Sequence, residues 1–283
     1  MIQVNRYTTG RGEVVQFRMA APLEGIPPYW VAAYLVGGLL IDTGCANTRD
    51  EFLTALAAET GTGAEPRTAV NTHYHEDHIG ADRALQVRFG TRVFAPGPSV
   101  PLIKDPPPIP DYRLLVWGRP EPCEVEPLGG QLETEGHRFL VVPTPGHSPD
   151  HVALVEPEAG WCFSGDLYTG ARPRVAWRET DVAAMIASLR TLAGFGPFTL
   201  FTGPGEVVEN GSEALLGTAA YLEDLVARGR EMETAGLGPD EVRQALFGGE
   251  SSFSSLTGGE FSSANLTRAV LRAGRRPRPG ATP

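Results

Sequence analysis

The run Asn71–Gly80, NTHYHEDHIG, places three histidines and two acids in the six residues from His73 to His78, half of the chain's six histidines. It follows the short β-rich run RTAV, so the cluster sits where a buried strand ends. His73 and His75 are two apart. At a strand end such residues point to one side, and both can reach one ion. Asp77 and His78 come after the chain turns into a helix predicted over HIGADRALQVRFG, which aims them at a neighbouring position. Imidazole and carboxylate are ligands that zinc, iron and manganese all accept. A polar surface loop that merely happens to be rich in histidine is the weaker reading.

Working outward, strand and helix alternate on the N-terminal side. YWVAAYLVGGLLIDTG reads as two strands turning at Gly37-Gly38, TRDEFLTALAAET as a helix stopped by Gly61, and TRVFAP as a strand. That alternation points to an α/β sandwich. Residues 96–127 carry PGPSVPLIKDPPPIP, which is expected to be a lid-like loop without helix or central strand. Strands with tight turns resume after residue 130, so two α/β halves are expected to meet there. From residue 211 the pattern is helical, with three helices predicted and Asp240 as the cap of the second. The expected organisation is an α/β domain over 1–210, a helical cap over 211–273 and a disordered tail over 274–283.

The chain has 283 residues, 41% of them hydrophobic, and a net charge of −10. That is enough for a sizeable core, and the acidic balance disfavours broad binding to phosphate backbones. Three cysteines, Cys45, Cys123 and Cys162, form no C-x-x-C pair, which fits a reducing cytoplasm. No signal peptide and no run of the ~18 apolar residues of a membrane span is read.

Four motifs resemble those of the metallo-β-lactamase superfamily, in that family's order: LLIDTG with Asp42, NTHYHEDHIG, TPGHSPDH with His147, and FSGDLY with Asp166. The resemblance runs from about Tyr29 to about Val208. It implies a four-layer αββα sandwich with metals at one rim. It implies that His73, His75 and His147 hold a first ion, that Asp77 and His78 hold a second, and that Asp166 bridges them, with Asp42 bracing the metal loop. The implied chemistry is metal-activated water attacking an ester, thioester, lactone or lactam of a small molecule, with zinc as the metal and manganese or iron as alternatives.

One position departs from the family. Where a further histidine is expected, FTGPGEVVENG has Pro204, and no histidine follows His151. The second site is then weakened or empty, or Glu206 replaces the missing ligand, or the protein only binds. Asp77 is the preferred general base if one ion is held. Tyr168 is a candidate donor to a developing oxyanion, and Arg172 and Arg174 are either an anion clamp or surface salt bridges. Tyr29, Trp30, Tyr112 and Trp117 are candidate pocket aromatics, His151 a candidate brace, and His137 a solvent-exposed turn residue. The C-terminal helices resemble the cap of several superfamily branches. Leu266, Val270 and Leu271 share one face, which packs on the chain's own core or on a second copy in a homodimer. A phosphodiesterase or ribonuclease and a non-catalytic binding protein are the rival functions.

Overall fold

A computed structural model describes residues 1–24, 27–61, 65–134, 136–196 and 198–275. Seven strands form the first sheet in sequence order: β1 (Ile2–Thr9), β2 (Gly12–Met19), β3 (Val31–Val36), β4 (Leu39–Ile41), β5 (Thr68–Val70), β6 (Arg92–Ala95) and β7 (Val125–Pro127). Pairing is antiparallel up to β4 and parallel from β4 to β7. The parallel crossovers carry α1 (Arg49–Thr60) and α2 (Asp82–Phe89). The second sheet has the order β14-β13-β11-β10-β9-β8, from β8 (Gln131–Thr134), β9 (His137–Pro143), β10 (Val152–Glu156), β11 (Trp161–Phe163), β13 (Thr199–Phe201) and β14 (Val207–Val208). The two sheets divide between Pro127 and Gln131, at the place the sequence indicated.

Strands buried on both faces explain the nearly continuous apolar runs. In β3, Ala32, Tyr34 and Val36 face the second sheet, meeting Phe139, Leu154, Phe163 and Phe201. Val31 and Ala33 face the other way, with Phe17 and Met19 of β2 and Phe52, Leu53 and Leu56 of α1. The outer face of the second sheet, through Val142, Ala153, Val155 and Leu200, packs on α5 (Val182–Ala193), α6 (Gly211–Thr234), α7 (Pro239–Phe247) and α9 (Ser263–Arg275). The result is the αββα sandwich.

Four expectations are corrected. The proline-rich segment contains two short helices, α3 (Val100–Lys104), with Pro101 in its first turn, where a proline gives up only an N–H that has no helical partner, and α4 (Asp111–Val116), which starts directly after Pro110. The C-terminal region has an extra short helix, α8 (Ser252–Leu256). Asp240 is not the cap of α7; the Glu241 carboxylate accepts from the Gly238 N–H at 2.7 Å. Helix α9 continues through Arg275, past the expected tail boundary, and residues 276–283 lie outside the described residues. A small ribbon, β12 (Ala176–Trp177) with β15 (Phe261–Ser262), ties the loop after Asp166 to the helical region. Leu266, Val270 and Leu271 of α9 are buried in the chain's own core, so that face is not available to a second copy.

Candidate metal centre

Every chain segment that carries a ligand candidate emerges at one rim of the sandwich. Strands β4 and β5 run parallel with Ile41 beside Val70, so Asp42 and the residues after Val70 leave the sheet side by side. Asp42 is the one described non-glycine residue in the left-handed region, with φ 56°, a conformation aspartate tolerates better than most. Its carboxylate accepts from the Thr72 N–H at 2.7 Å, from the Thr72 hydroxyl at 3.0 Å and from His78 Nδ1 at 2.8 Å. The brace on the histidine loop is therefore direct.

Three imidazoles converge. His75 Nδ1 lies 3.0 Å from His73 Nε2 and 3.0 Å from His147 Nε2, and all three side chains are buried. Burial first, then the nearby His78, holds His73 well below its ordinary pKa; burial first, then Arg113 and His78, holds His75 at about 3; burial, partly offset by Asp166, holds His147 at about 4. All three are thus neutral at pH 7. Their outer bonds set the tautomers. The Thr72 proton goes to Asp42, so His73 Nδ1–H donates to the Thr72 oxygen at 3.0 Å and leaves Nε2 bare. His75 Nε2–H donates to Glu179 Oε1 at 2.9 Å and leaves Nδ1 bare. Bare nitrogens about 3 Å apart suit a tetrahedral zinc, whose ~2.0–2.1 Å bonds space its nitrogens about 3.3 Å apart.

A second group adjoins the first. His78 Nε2 is buried without a hydrogen-bond partner; Asp166 Oδ1 is 3.5 Å away and Asp77 Oδ2 3.9 Å away. Asp166 Oδ2 is 3.6 Å from His147 Nε2, so its two oxygens face the two groups. Burial opposes charge on His78, but Asp42, Asp77 and Asp166 outweigh it and raise the imidazole well above its ordinary pKa. Burial first, with Asp166 and Glu76 adding and His78 opposing, pushes Asp77 up to about 7. Burial acts upward on Asp166 as well, yet His78, His147 and His151 hold it below the usual carboxylate range. An orphaned imidazole nitrogen amid three carboxylates is a setting for a cation.

His151 is a brace. Its Nε2 accepts the Asp166 N–H at 3.1 Å, and its Nδ1–H donates to the Thr144 hydroxyl at 2.8 Å. Gly165 beside it has φ 46°, and a Cβ there would sit 2.6 Å from His151 Nε2. A Cβ on Gly203 would sit 2.0 Å from Asp166 Oδ1, so this backbone runs flush against the carboxylate. The next residues are fixed from the first sheet: Tyr34 Oη donates to Thr202 O at 2.6 Å, Gln16 Nε2 to Gly205 O at 3.0 Å and Arg18 Nε to Pro204 O at 3.1 Å. Glu206 is exposed, and its charge acts on Tyr168 rather than on the centre.

Tyr168 is not among the residues that line the cleft beside Asp166. Leu167 and Thr169 line that cleft, and the buried Tyr168 belongs to the apolar cluster that also holds Leu200 and Phe198. Tyr29 lines the cleft instead; burial first, then the charges of Asp166 and Asp77, keep its phenol protonated. Arg174 donates to Phe247 O and Arg172 is exposed, so neither clamps the cleft. His137 is not exposed; it lies against the Trp161 ring and 3.5 Å from Glu156 Oε1. The three cysteines are buried thiols.

The lid is anchored. Arg113 Nε lies 2.6 Å from Glu76 Oε1 inside the histidine motif, and the guanidinium stacks 4.8 Å from the Trp177 ring centre. Tyr112 Oη donates to Glu260 at 2.9 Å, and the Ser99 hydroxyl donates to Asp150 at 2.6 Å. Glu179, Arg113 and Asp150 were absent from the sequence reading. No local pattern marks them, since each meets its partner across a long stretch of chain.

The family model of the metallo-beta-lactamase superfamily matches residues 28–203. A Beta-lactamase-like protein 2 homolog of Drosophila melanogaster is 30% identical over 62% of this chain and 59% of its own length. Hydroxyacylglutathione hydrolase GloC of Haemophilus influenzae is 28% identical over 45% of this chain and 68% of its own. Thioesterase pkgB of Emericella nidulans is 30% identical over 63% and 50%. The chain thus spans about half to two thirds of the length of these relatives. Among solved structures, a metallo-beta-lactamase family protein of Thermus thermophilus superposes with a TM-score of 0.66 at 20% identity, over 90% of this chain and 91% of that one, a likeness of fold.

Proposed function

Because the chain belongs to the metallo-β-lactamase superfamily, we propose that it is a metal-dependent hydrolase whose preferred substrates are thioesters. The observation that carries this reading is the convergence of His73, His75 and His147 beside the unpartnered His78 Nε2, with Asp166 offering an oxygen to each group. His73, His75 and His147 would hold the first ion. Asp77, His78 and Asp166 would hold a second, more weakly, since Pro204 contributes no ligand atom. Zinc suits the three-histidine set; the carboxylate-rich second set also suits manganese or iron. When bound, the metal supplies a Lewis acid that activates water and polarises the carbonyl.

The chain's own groups do the rest. With the first ion alone held, Asp77 takes the proton from the attacking water at its carboxylate, and Asp166 keeps its orientation through His151. Tyr29 donates its phenol proton in a hydrogen bond to the substrate. The water oxygen joins the carbonyl carbon, the C–S bond breaks, and the sulfur leaves with its electron pair and takes up a proton. Carboxylic acid and thiol result. Two relatives, named as a hydroxyacylglutathione hydrolase and a thioesterase, support the thioester over the lactam. Among the described residues no lysine or arginine lines the cleft, which counts against a phosphodiester. No described helix is long and apolar enough to cross a membrane, and the three free thiols support a cytoplasmic setting.

The test is elemental analysis of protein purified without chelator, paired with a panel of chromogenic thioesters, lactones, lactams and phosphodiesters. At least one ion per chain and fastest turnover of thioesters is expected. Metal-free protein that gains nothing from added zinc or manganese would leave only a binding role.

A further inference from the structure

The cleft that begins at His147 and Asp166 runs between the second sheet and the helical region. Its walls are Leu167, Val175, Met185, Leu222, Phe261 and Leu266, with threonine hydroxyls as further polar groups. Among the described residues no lysine or arginine lines it, and the one carboxylate there is Asp166. The interior of about 50 Å³ gives room for a few water-sized groups at ~10–15 Å³ each. A thioester places two arms on either side of its carbonyl, one acyl and one a thiol carrier. A large carrier cannot enter so small a space, and an anionic one finds no lysine or arginine among the described lining residues, whereas an apolar chain is drawn in by burial.

We infer that this cleft takes the acyl arm, and that the substrate is a thioester of a short to medium, uncharged, apolar acyl group whose thiol carrier stays outside. This rests on the thioesterase reading above and narrows it. A terminal carboxylate on the acyl group would lie among the apolar walls beyond His147 and Asp166, with no lysine or arginine among the described lining residues to pair with, so a dicarboxylic half-thioester is disfavoured.

The experiment uses the metal-loaded protein and N-acetylcysteamine thioesters from acetyl to palmitoyl, with succinyl as the charged counterpart of butyryl. kcat/KM is expected to rise about threefold to fourfold per added methylene while the cleft fills, then to fall for long chains, with succinyl at least tenfold below butyryl. Val175 and Met185 are only partly buried. Val175→Trp should move the optimum to shorter acyl groups and Met185→Ala to longer ones, opposite shifts that misfolding cannot produce. A flat chain-length series, or succinyl equal to butyryl, overturns the inference and leaves the thioesterase reading standing. Binding of the uncleavable ketone analogue of hexanoyl-N-acetylcysteamine, with methylene in place of sulfur, separates the two claims. If no thioester turns over yet this analogue binds and Val175→Trp weakens it, the cleft assignment is supported and the reaction reading fails. If neither occurs, the cleft assignment fails too.

Discussion

Replacing Glu179 by alanine should weaken metal retention without unfolding the protein. His75 Nε2–H donates to Glu179 Oε1 at 2.9 Å, and this bond fixes the tautomer that leaves Nδ1 free toward the centre. Without it the ring has no reason to keep its proton on Nε2, and the protonated Nδ1 competes with the ion. A hydrogen bond to a charged group is worth ~1.5–3 kcal/mol when buried. Glu179 is 39% exposed while His75 is 3% exposed, so water replaces part of the bond and about 1–2 kcal/mol is the reasonable share. That is a loss of roughly 5- to 30-fold in affinity, the lower part of the range for such outer partners of metal-bound histidines. The assay is zinc transfer to a chromophoric chelator of known affinity, together with the thermal midpoint of the metal-free form. The midpoint should barely move, because Glu179 belongs to none of the apolar clusters of the core. Glu179→Gln keeps an acceptor oxygen and should restore most of the affinity. Equal zinc affinity in Glu179→Ala and the parent would refute the reasoning.

Three further outcomes are expected. Asp82 is buried between the Thr43 hydroxyl and Asn71 Nδ2, and burial pushes its carboxyl up to about 7 despite those bonds. The folded state then binds the extra proton, so this group's contribution is intact below about pH 4 and is lost as pH rises to about 7, up to about 4 kcal/mol. Asp82→Asn should flatten the fall in denaturant stability across that window, and an unchanged slope would count against it. Arg113→Met should cost about 3–5 kcal/mol by stranding the buried Glu76, and adding Glu76→Met should recover most of it in urea melts; additive losses would show that the pair is not coupled. Chelation should lower Tm by about 7 °C from a thousandfold excess of metal over Kd, taking ~4.1 kcal/mol over ~0.6 kcal/mol/K for a chain of this length; a scanning calorimeter decides it.

The sandwich was legible because its central strands are short, apolar and separated by glycine turns, and because α1 shows its buried face in Phe52, Leu53 and Leu56. The histidine triad was legible as two residues at a strand end and one supplied by resemblance. The edge hairpin β1–β2 was not read, since β1 is mostly exposed and shows little burial pattern. Tyr29 in the cleft lining was not singled out as a donor, because the 3₁₀ turn at Gly165–Leu167 sets which neighbouring side chains line the cleft, and spacing alone does not encode that rotation. Glu179 reaches His75 across 104 residues of chain, a separation at which sequence carries no local signal. The helices in the lid were hidden by counting prolines rather than placing them.

The order in which the centre's parts occur along the chain has a consequence for biosynthesis. His73, His75, Asp77 and His78 leave the ribosome first; His147 and Asp166 follow, and Leu266, a wall of the cleft, comes one hundred residues after Asp166. A nascent chain therefore displays four of the six candidate ligands long before it has an enclosed site. Any ion caught then is held by exposed side chains and exchanges freely. Tight capture has to wait until the second sheet and α9 are in place. Metal selection is thus made by the finished cavity, not by whichever ion the emerging histidines meet first.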